Sequence, residues 1–211
     1  MNFNYLVIEG NIGAGKTSLA TKLAEDTNSK LILEQFAANP FLPKFYEEPG
    51  KYAFPVELTF LADRYHQLKN EINPRDLFQT TTISDYYFVK SLIFSRETLK
   101  EDEYSLYKRI FDIILQQLTI PDIYVYLHVT TDRLIHNIMQ RGRQYESHIT
   151  REYLENIQKG YFDFMKTHPE MTFLVIDINN IDFVNEQEDY IKLKSAILGV
   201  NYSHGMNMVI L

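Results

Sequence analysis

An apolar run, FNYLVIE, leads directly into GNIGAGKT, Gly10 to Thr17, and this junction dictates a strand, a tight glycine-bearing loop and a helix in immediate succession. Gly10 and Gly15 let successive backbone N–H groups turn inward and approach phosphate oxygens with no Cβ in the way. Lys16 carries its charge to the β and γ phosphates, and Thr17 offers a hydroxyl to Mg2+. The helix starting there points its positive end at the same phosphates. The motif is a Walker A phosphate loop. Gly10, Asn11, Ile12, Gly13, Ala14, Gly15, Lys16, Thr17 and Ser18 are therefore the candidate contacts for a triphosphate and its metal.

Beyond the loop, short apolar runs alternate with longer amphipathic segments, the pattern of a parallel sheet with helices on both faces. It predicts strands near 3 to 8, 30 to 33, 80 to 84, 123 to 129 and 172 to 176. The long helices are expected at about 16 to 26, 53 to 72, 102 to 118, 131 to 140, 151 to 166 and 183 to 198. Without repeats or low-complexity segments, residues 1 to 211 read as one domain, with the tail from about 200 to 211 unassigned.

Charge and cysteine usage narrow the partners. A net charge of −7 disfavours nucleic acid, whose binders display basic surfaces, but leaves small phosphorylated ligands open. With no cysteine, disulfides and thiolate metal sites are excluded. Neither a secretory leader nor a run of about eighteen apolar residues is present, so a cytoplasmic protein without a membrane span is expected.

In open α/β sheets ligands bind beyond the carboxyl ends of the strands, which directs attention to Glu34, Asp85, the arginines near 141 and Asp177. Glu34 ends the run KLIL and can either accept a hydroxyl proton as a phosphoryl group arrives or help hold Mg2+. Asp85 follows FQTTTIS and reads as a Walker B-like metal carboxylate or as the N-cap of the next helix. Arg141 and Arg143 straddle Gly142 where a helix gives way to a loop. Beside a phosphate loop they read as a lid, at about 141 to 149, that stabilises charge on a transferring phosphoryl group.

The succession EGNIGAGKTSLA, NPFLPKFYEEP, ELTFLADRYHQL, ISDYYFVKSLIFSRETL, RGRQYE and DINNIDFV, over about residues 4 to 184, resembles the deoxynucleoside kinases, most of all their bacterial deoxyguanosine kinase branch. The resemblance implies a P-loop NTPase-type three-layer α/β/α fold whose five-stranded parallel sheet has the order 2-3-1-4-5. It also implies a homodimer and ATP-dependent 5′-phosphorylation of a deoxynucleoside with Mg2+. Carried onto this chain, it makes Glu34 the carboxylate that activates the 5′-hydroxyl, with Lys16, Arg141 and Arg143 completing the catalytic set. Tyr46 and Glu146 match the pair that holds the sugar 3′-hydroxyl, Phe94 a ring stacking on the base, and Arg64 a substrate-side arginine. Asp177 begins a loop over the donor adenine.

The chain departs from this pattern on the base side. Glu57 falls where many relatives use a base-reading Gln, and Ser84-Asp85-Tyr86 replaces a Glu-Arg-Ser or Asp-Arg-Ser sequence, so that Asp85 is available to substrate or Mg2+. Lys90 stands where cytidine-using relatives carry Asp, which puts two cations, Arg64 and Lys90, near the base with Glu57 as the expected counter-ion. This polarity favours a purine, deoxyguanosine and then deoxyadenosine. Two other readings share the loop: a thymidylate kinase-like nucleoside monophosphate kinase, and a catalytically idle nucleotide-binding relative. The DRY at Asp63 to Tyr65 lies inside a helical run rather than after a strand, against the first.

Overall fold

Tyr5–Gly10 is buried at every residue, as expected of a central strand in a parallel sheet covered on both faces. The computed structural model describes residues 3–35, 39–72, 81–143, 146 and 149–211, except for the side chain of Tyr46. In chain order the elements are β1 (Tyr5–Gly10), α1 (Lys16–Thr27), β2 (Lys30–Ile32), α2 (Leu42–Glu47), α3 (Pro49–Ile72), β3 (Thr82–Ser84) and α4 (Val89–Thr98). They continue with α5 (Glu101–Leu115), β4 (Ile123–His128), α6 (Thr131–Arg141), α7 (Arg151–Thr167), β5 (Thr172–Asp177), α8 (Gln187–Leu198) and β6 (Gly205–Ile210).

These elements fall into two compact units. The first, Met1–Leu33, Asp76–Tyr86 and Ile120–Leu211, contains the whole sheet. Its strands are all parallel, in the order β2-β3-β1-β4-β5-β6. On one face Leu6, Ile8, Val125, Leu127, Leu174 and Ile176 pack with Leu19 and Leu23 of α1 and Leu193 and Ile197 of α8. On the other, the Tyr126 ring lies 5.1 Å from that of Tyr161 in α7. Helices thus cover both faces, giving the three layers expected, and burying each large aliphatic side chain contributes about 1.5–3 kcal/mol. The second unit, Glu34–Arg75 and Tyr87–Thr119, is helical and contains α2 to α5. Its core includes Leu61, Leu68 and Tyr107, with Phe88 stacked on Phe111 at 4.9 Å.

The sheet has six strands rather than five. Residues of the unassigned tail pair in parallel with β5, from Thr172 opposite Gly205 to Asp177 opposite Ile210, so β5, α8 and β6 form one βαβ unit. Half of the new edge strand faces solvent, at Met206, Met208 and Ile210, while Val209 and Leu211 pack against the core. Helix α3 also begins earlier than its periodicity predicts. Pro49 occupies its first position, where no N–H is required, and Pro55 is carried inside the helix. At the other end, α8 begins at Gln187 rather than 183, because Ile181 and Phe183 turn into the core before it.

Removing residues 204–211 should strip β5 of its partner and remove the Val209 and Leu211 contacts. The loss should be about 2–3 kcal/mol, a fall in Tm of roughly 5–10 °C for a chain of this size, read by scanning calorimetry. An unchanged Tm would contradict a sixth strand.

Candidate active site

Within the first unit the phosphate loop is held from several directions. Gly15 caps α1 with φ of 85°, a left-handed conformation, and a Cβ there would lie 2.7 Å from Cζ of Phe183. The Asn11 side chain is buried, donates to the Leu154 carbonyl at 2.7 Å and accepts from the Ile12 N–H at 2.9 Å. Ala14 is buried, whereas Thr17 and Ser18 are exposed at the first turn of α1. Lys16 Nζ donates to the carbonyls of Gly10 at 3.0 Å and Asn11 at 2.9 Å, which folds the ammonium across the loop. Thr17 Oγ1 donates to Asp85 Oδ2 at 2.6 Å. The following helix, α4, starts only at Val89, so Asp85 is not its N-cap. A hydroxyl and a carboxylate oxygen meeting at a phosphate loop form a hard oxygen donor pair. Mg2+ suits it, since that ion is commonly held by one or two carboxylates plus substrate phosphates rather than by a closed protein cage. Among the described residues no group of three or more acidic, His or Cys side chains gathers to hold a metal.

Beyond β5, the Asp177 carboxylate accepts from the Asn179 backbone at 2.9 Å and side chain at 2.8 Å, bending the chain. Arg133 of α6 then donates to the carbonyls of Ile178, Asn179 and Ile181 at 2.5–2.6 Å, fixing the segment that carries Phe183 to Gly15. No local pattern marks Arg133 in the sequence, where it reads as one more charge on an amphipathic helix. At the end of α6, Arg141 embraces both oxygens of the buried Glu146. Arg143 reaches the same carboxylate at 3.4 Å. The residues assigned by resemblance to phosphoryl group and sugar thus bind one another here. Arg143 and Glu146 border a cavity of about 330 Å3 with Ile135, Ile138 and Ile149.

The second unit centres on Glu34. Its Oε1 accepts from Arg64 Nε at 2.9 Å and Nη2 at 2.8 Å, and its Oε2 from Lys90 Nζ at 2.5 Å. Arg64 also donates to Ser91 Oγ at 2.8 Å and lies over the Phe60 ring, while Lys90 Nζ sits 5.3 Å from the centre of Phe94. Burial pushes the Glu34 carboxyl up, but the charges of Lys90 and Arg64 outweigh it and hold the group at about 2. The counter-ion of both cations is therefore Glu34, not Glu57. Glu57 instead accepts from Thr98 Oγ1 at 2.8 Å, and burial raises its carboxyl to about 7 despite that hydrogen bond and the charge of Arg64. A cavity of about 410 Å3 opens beside Glu34, Phe60 and Arg64. Tyr46 lies in α2 with its side chain outside the described residues.

A sequence profile described as deoxynucleoside kinase matches residues 6–200. The chain is 33% identical over 197 residues to the deoxyguanosine kinase of Bacillus subtilis (strain 168), covering 92% of this chain and 95% of that one. It is 27% identical over 204 residues to the deoxyadenosine kinase of Dictyostelium discoideum, covering 96% and 83%. The solved structure of a deoxyadenosine kinase from M. mycoides, with products dCMP and a flexible dCDP bound, superposes with a TM-score of 0.78 at 25% identity. That match covers 93% of this chain and 100% of the other. The chain belongs to the deoxynucleoside kinase family and is a phosphotransferase. Among the described residues, no helix is long and apolar enough to cross a membrane.

The raised Glu57 carboxyl has a stability signature. Folded, it keeps its proton up to pH about 7, whereas in the unfolded chain it ionises from 4.5. The folded state then binds more protons between those values, so this group's contribution falls as pH rises through the window. Glu57→Gln should therefore gain on the wild type by about 1–3 kcal/mol between pH 5 and pH 8 in urea unfolding. Parallel pH profiles would refute the shift.

Proposed function

We propose that the protein transfers the γ-phosphoryl group of ATP to the 5′-hydroxyl of a purine deoxynucleoside, deoxyguanosine ahead of deoxyadenosine, as a step in nucleotide salvage. What carries this reading is a feature within each unit: Thr17 on Asp85 at the phosphate loop of the sheet unit, and the buried carboxylate Glu34 lying against two cations in the helical unit. The family's reaction requires both. The 5′-oxygen attacks the γ-phosphorus as the bond to the bridging oxygen breaks, ADP leaves, and the hydroxyl proton passes to Glu34. In a loose transition state the proton moves late, so a weak base suffices.

Lys16 would meet the β and γ oxygens in place of the loop carbonyls it now holds, and Gly10 to Ser18 would donate backbone N–H groups. Thr17 and Asp85 would hold Mg2+, which when bound draws charge from the phosphate oxygens. Arg141 and Arg143 would leave Glu146 for the transferring group, freeing that carboxylate to join Tyr46 on the 3′-hydroxyl. Phe94 would stack on the base, Glu57 and Arg64 would read its edge, and the Asp177 segment would cover the donor adenine. Arg64 and Lys90 present donors suited to a purine carbonyl, and the relative from Bacillus subtilis named deoxyguanosine kinase supports that preference.

The same reading makes the protein a cytoplasmic homodimer. Leu106, Ile110 and Ile113 form a helical stripe along α5, with Leu106 and Ile113 exposed, and such a stripe suits a second copy.

An assay of every deoxynucleoside and deoxynucleoside monophosphate with ATP and Mg2+ tests the class and the base together. Deoxyguanosine should be the best acceptor, and Glu34→Gln should lower kcat by roughly 100-fold or more with KM little changed. Phosphorylation of monophosphates alone would favour a monophosphate kinase, and no turnover an idle relative.

A further inference from the structure

Both oxygens of Glu34 are engaged, which poses a difficulty for a group meant to receive a proton. Oε1 takes two donors from Arg64 and Oε2 takes Lys90 Nζ. A carboxylate so held lies near the bottom of its range, with burial opposed by Lys90 and Arg64. To accept from a hydroxyl it must exchange one of these partners.

The two cations are not equally free to yield. Arg64 is fixed by two bonds to Glu34, a third to Ser91 Oγ and the face of Phe60. The guanidinium is a planar fork that loses several contacts at once when it moves. Among the described residues, the Lys90 ammonium donates one hydrogen bond, to Glu34, and otherwise lies beside Phe94 one turn further along α4. An ammonium is a point charge on a flexible stem, able to redirect its donors without leaving its place. Its side chain is 9% exposed, so a departing carboxylate would leave the charge buried without a partner.

We infer that Lys90 is a positioning residue that couples recognition of the nucleobase to release of Glu34: a carbonyl at purine position 6, on a base stacked over Phe94, takes the Lys90 ammonium and frees Glu34 Oε2 for the 5′-hydroxyl. The inference rests on Glu34 being the acceptor of that proton. A 6-amino group offers hydrogens where the ammonium also offers hydrogens, so an adenine leaves Lys90 on Glu34. Selection for the 6-oxo group then falls on kcat, because it acts through the state of the carboxylate rather than through affinity alone. In the productive complex the 5′-oxygen bonds to the γ-phosphorus, the bond to the ADP oxygen breaks and the proton goes to the vacated Oε2. Among the described residues, the charged or titratable groups facing Glu34 or its partners are Arg64 and Glu57 of α3, Lys90 of α4 and, beyond Arg64, Tyr107 of α5, while Asp63, His66 and Glu71 of α3 line the cavity beside it.

Four substrates separate the 6-substituent from the 2-substituent on the unmodified protein: deoxyguanosine, deoxyinosine, 2,6-diaminopurine deoxyriboside and deoxyadenosine. The two 6-oxo substrates should exceed the two 6-amino substrates in kcat by tenfold or more, whatever stands at position 2. In Lys90→Met the ammonium no longer occupies Glu34 Oε2, so the gap should close because the 6-amino kcat rises by about tenfold toward the 6-oxo kcat. The acid limb of kcat/KM should move up in pH, because a lowering charge has been removed from Glu34. Lys90→Arg should restore most of the 6-oxo advantage. A kcat that sorts by the 2-substituent, a gap confined to KM, or a gap that survives Lys90→Met would overturn the inference. Should Lys90→Met not fold, the four substrates on the wild type decide alone. Absence of turnover with every deoxynucleoside, or full kcat in Glu34→Gln, overturns the proposed function along with it, whereas equal loss of all four substrates in Lys90→Met overturns only the coupling.

Discussion

Taking a carboxylate out of water costs several kcal/mol unless charge and hydrogen bonds meet it, and Glu34 is met by two cations from successive helices. This three-residue cluster organises the helical unit. It ties the segment after β2 to α3 through Arg64 and to α4 through Lys90, and Ser91 anchors the far end of the guanidinium. Removing Glu34 would strand two buried cations at once, so the cluster defines a single arrangement of these elements more than it adds net stability. The same constraint shapes the chemistry, because a carboxylate stabilised in this way is committed to its ionised form.

Glu57, two turns before Arg64 on α3, shows the opposite solution. Buried with one hydroxyl donor and no cation of its own, it retains its proton to about pH 7, and a protonated carboxyl has a donor and an acceptor just as an amide does. A Glu in place of the base-reading Gln is thus a smaller chemical change at neutral pH than the sequence suggests. Two acids in one unit are separated by their neighbours into one charged and one able to be neutral.

What could be read from the sequence follows how local each interaction is. The phosphate loop was legible because its glycines, lysine and threonine act within eight consecutive positions, and the strand and helix around it follow from the same stretch. The parallel sheet followed from apolar runs that alternate with amphipathic segments. Pairings across long separations were not legible: Lys90 finds Glu34 rather than Glu57, and Arg133 grips carbonyls near Ile178, through contacts that no spacing encodes. The sixth strand escaped because an edge strand with alternate residues in solvent carries half the apolar signal of β1. Arg141 and Arg143 were recognised as a pair, but their engagement by Glu146 depends on how the chain turns after Gly142.

The place of β1 in the sheet also governs when the phosphate loop can take shape. β1 pairs with β3 and β4, which join it at Thr82 beside Tyr5 and at Ile123 beside Leu6, far down the chain. Gly10 itself lies so close to the Leu127 carbonyl of β4 that a Cβ would come within 2.9 Å of it. Closing such distant parallel pairings is slow, because the entropy of the intervening chain is lost before the contacts reward it. During synthesis the eight residues of the loop emerge more than a hundred residues before β4, and they lack one flanking wall until that strand has been made and docked. The segment whose chemistry is most local is therefore among the last to acquire its working geometry.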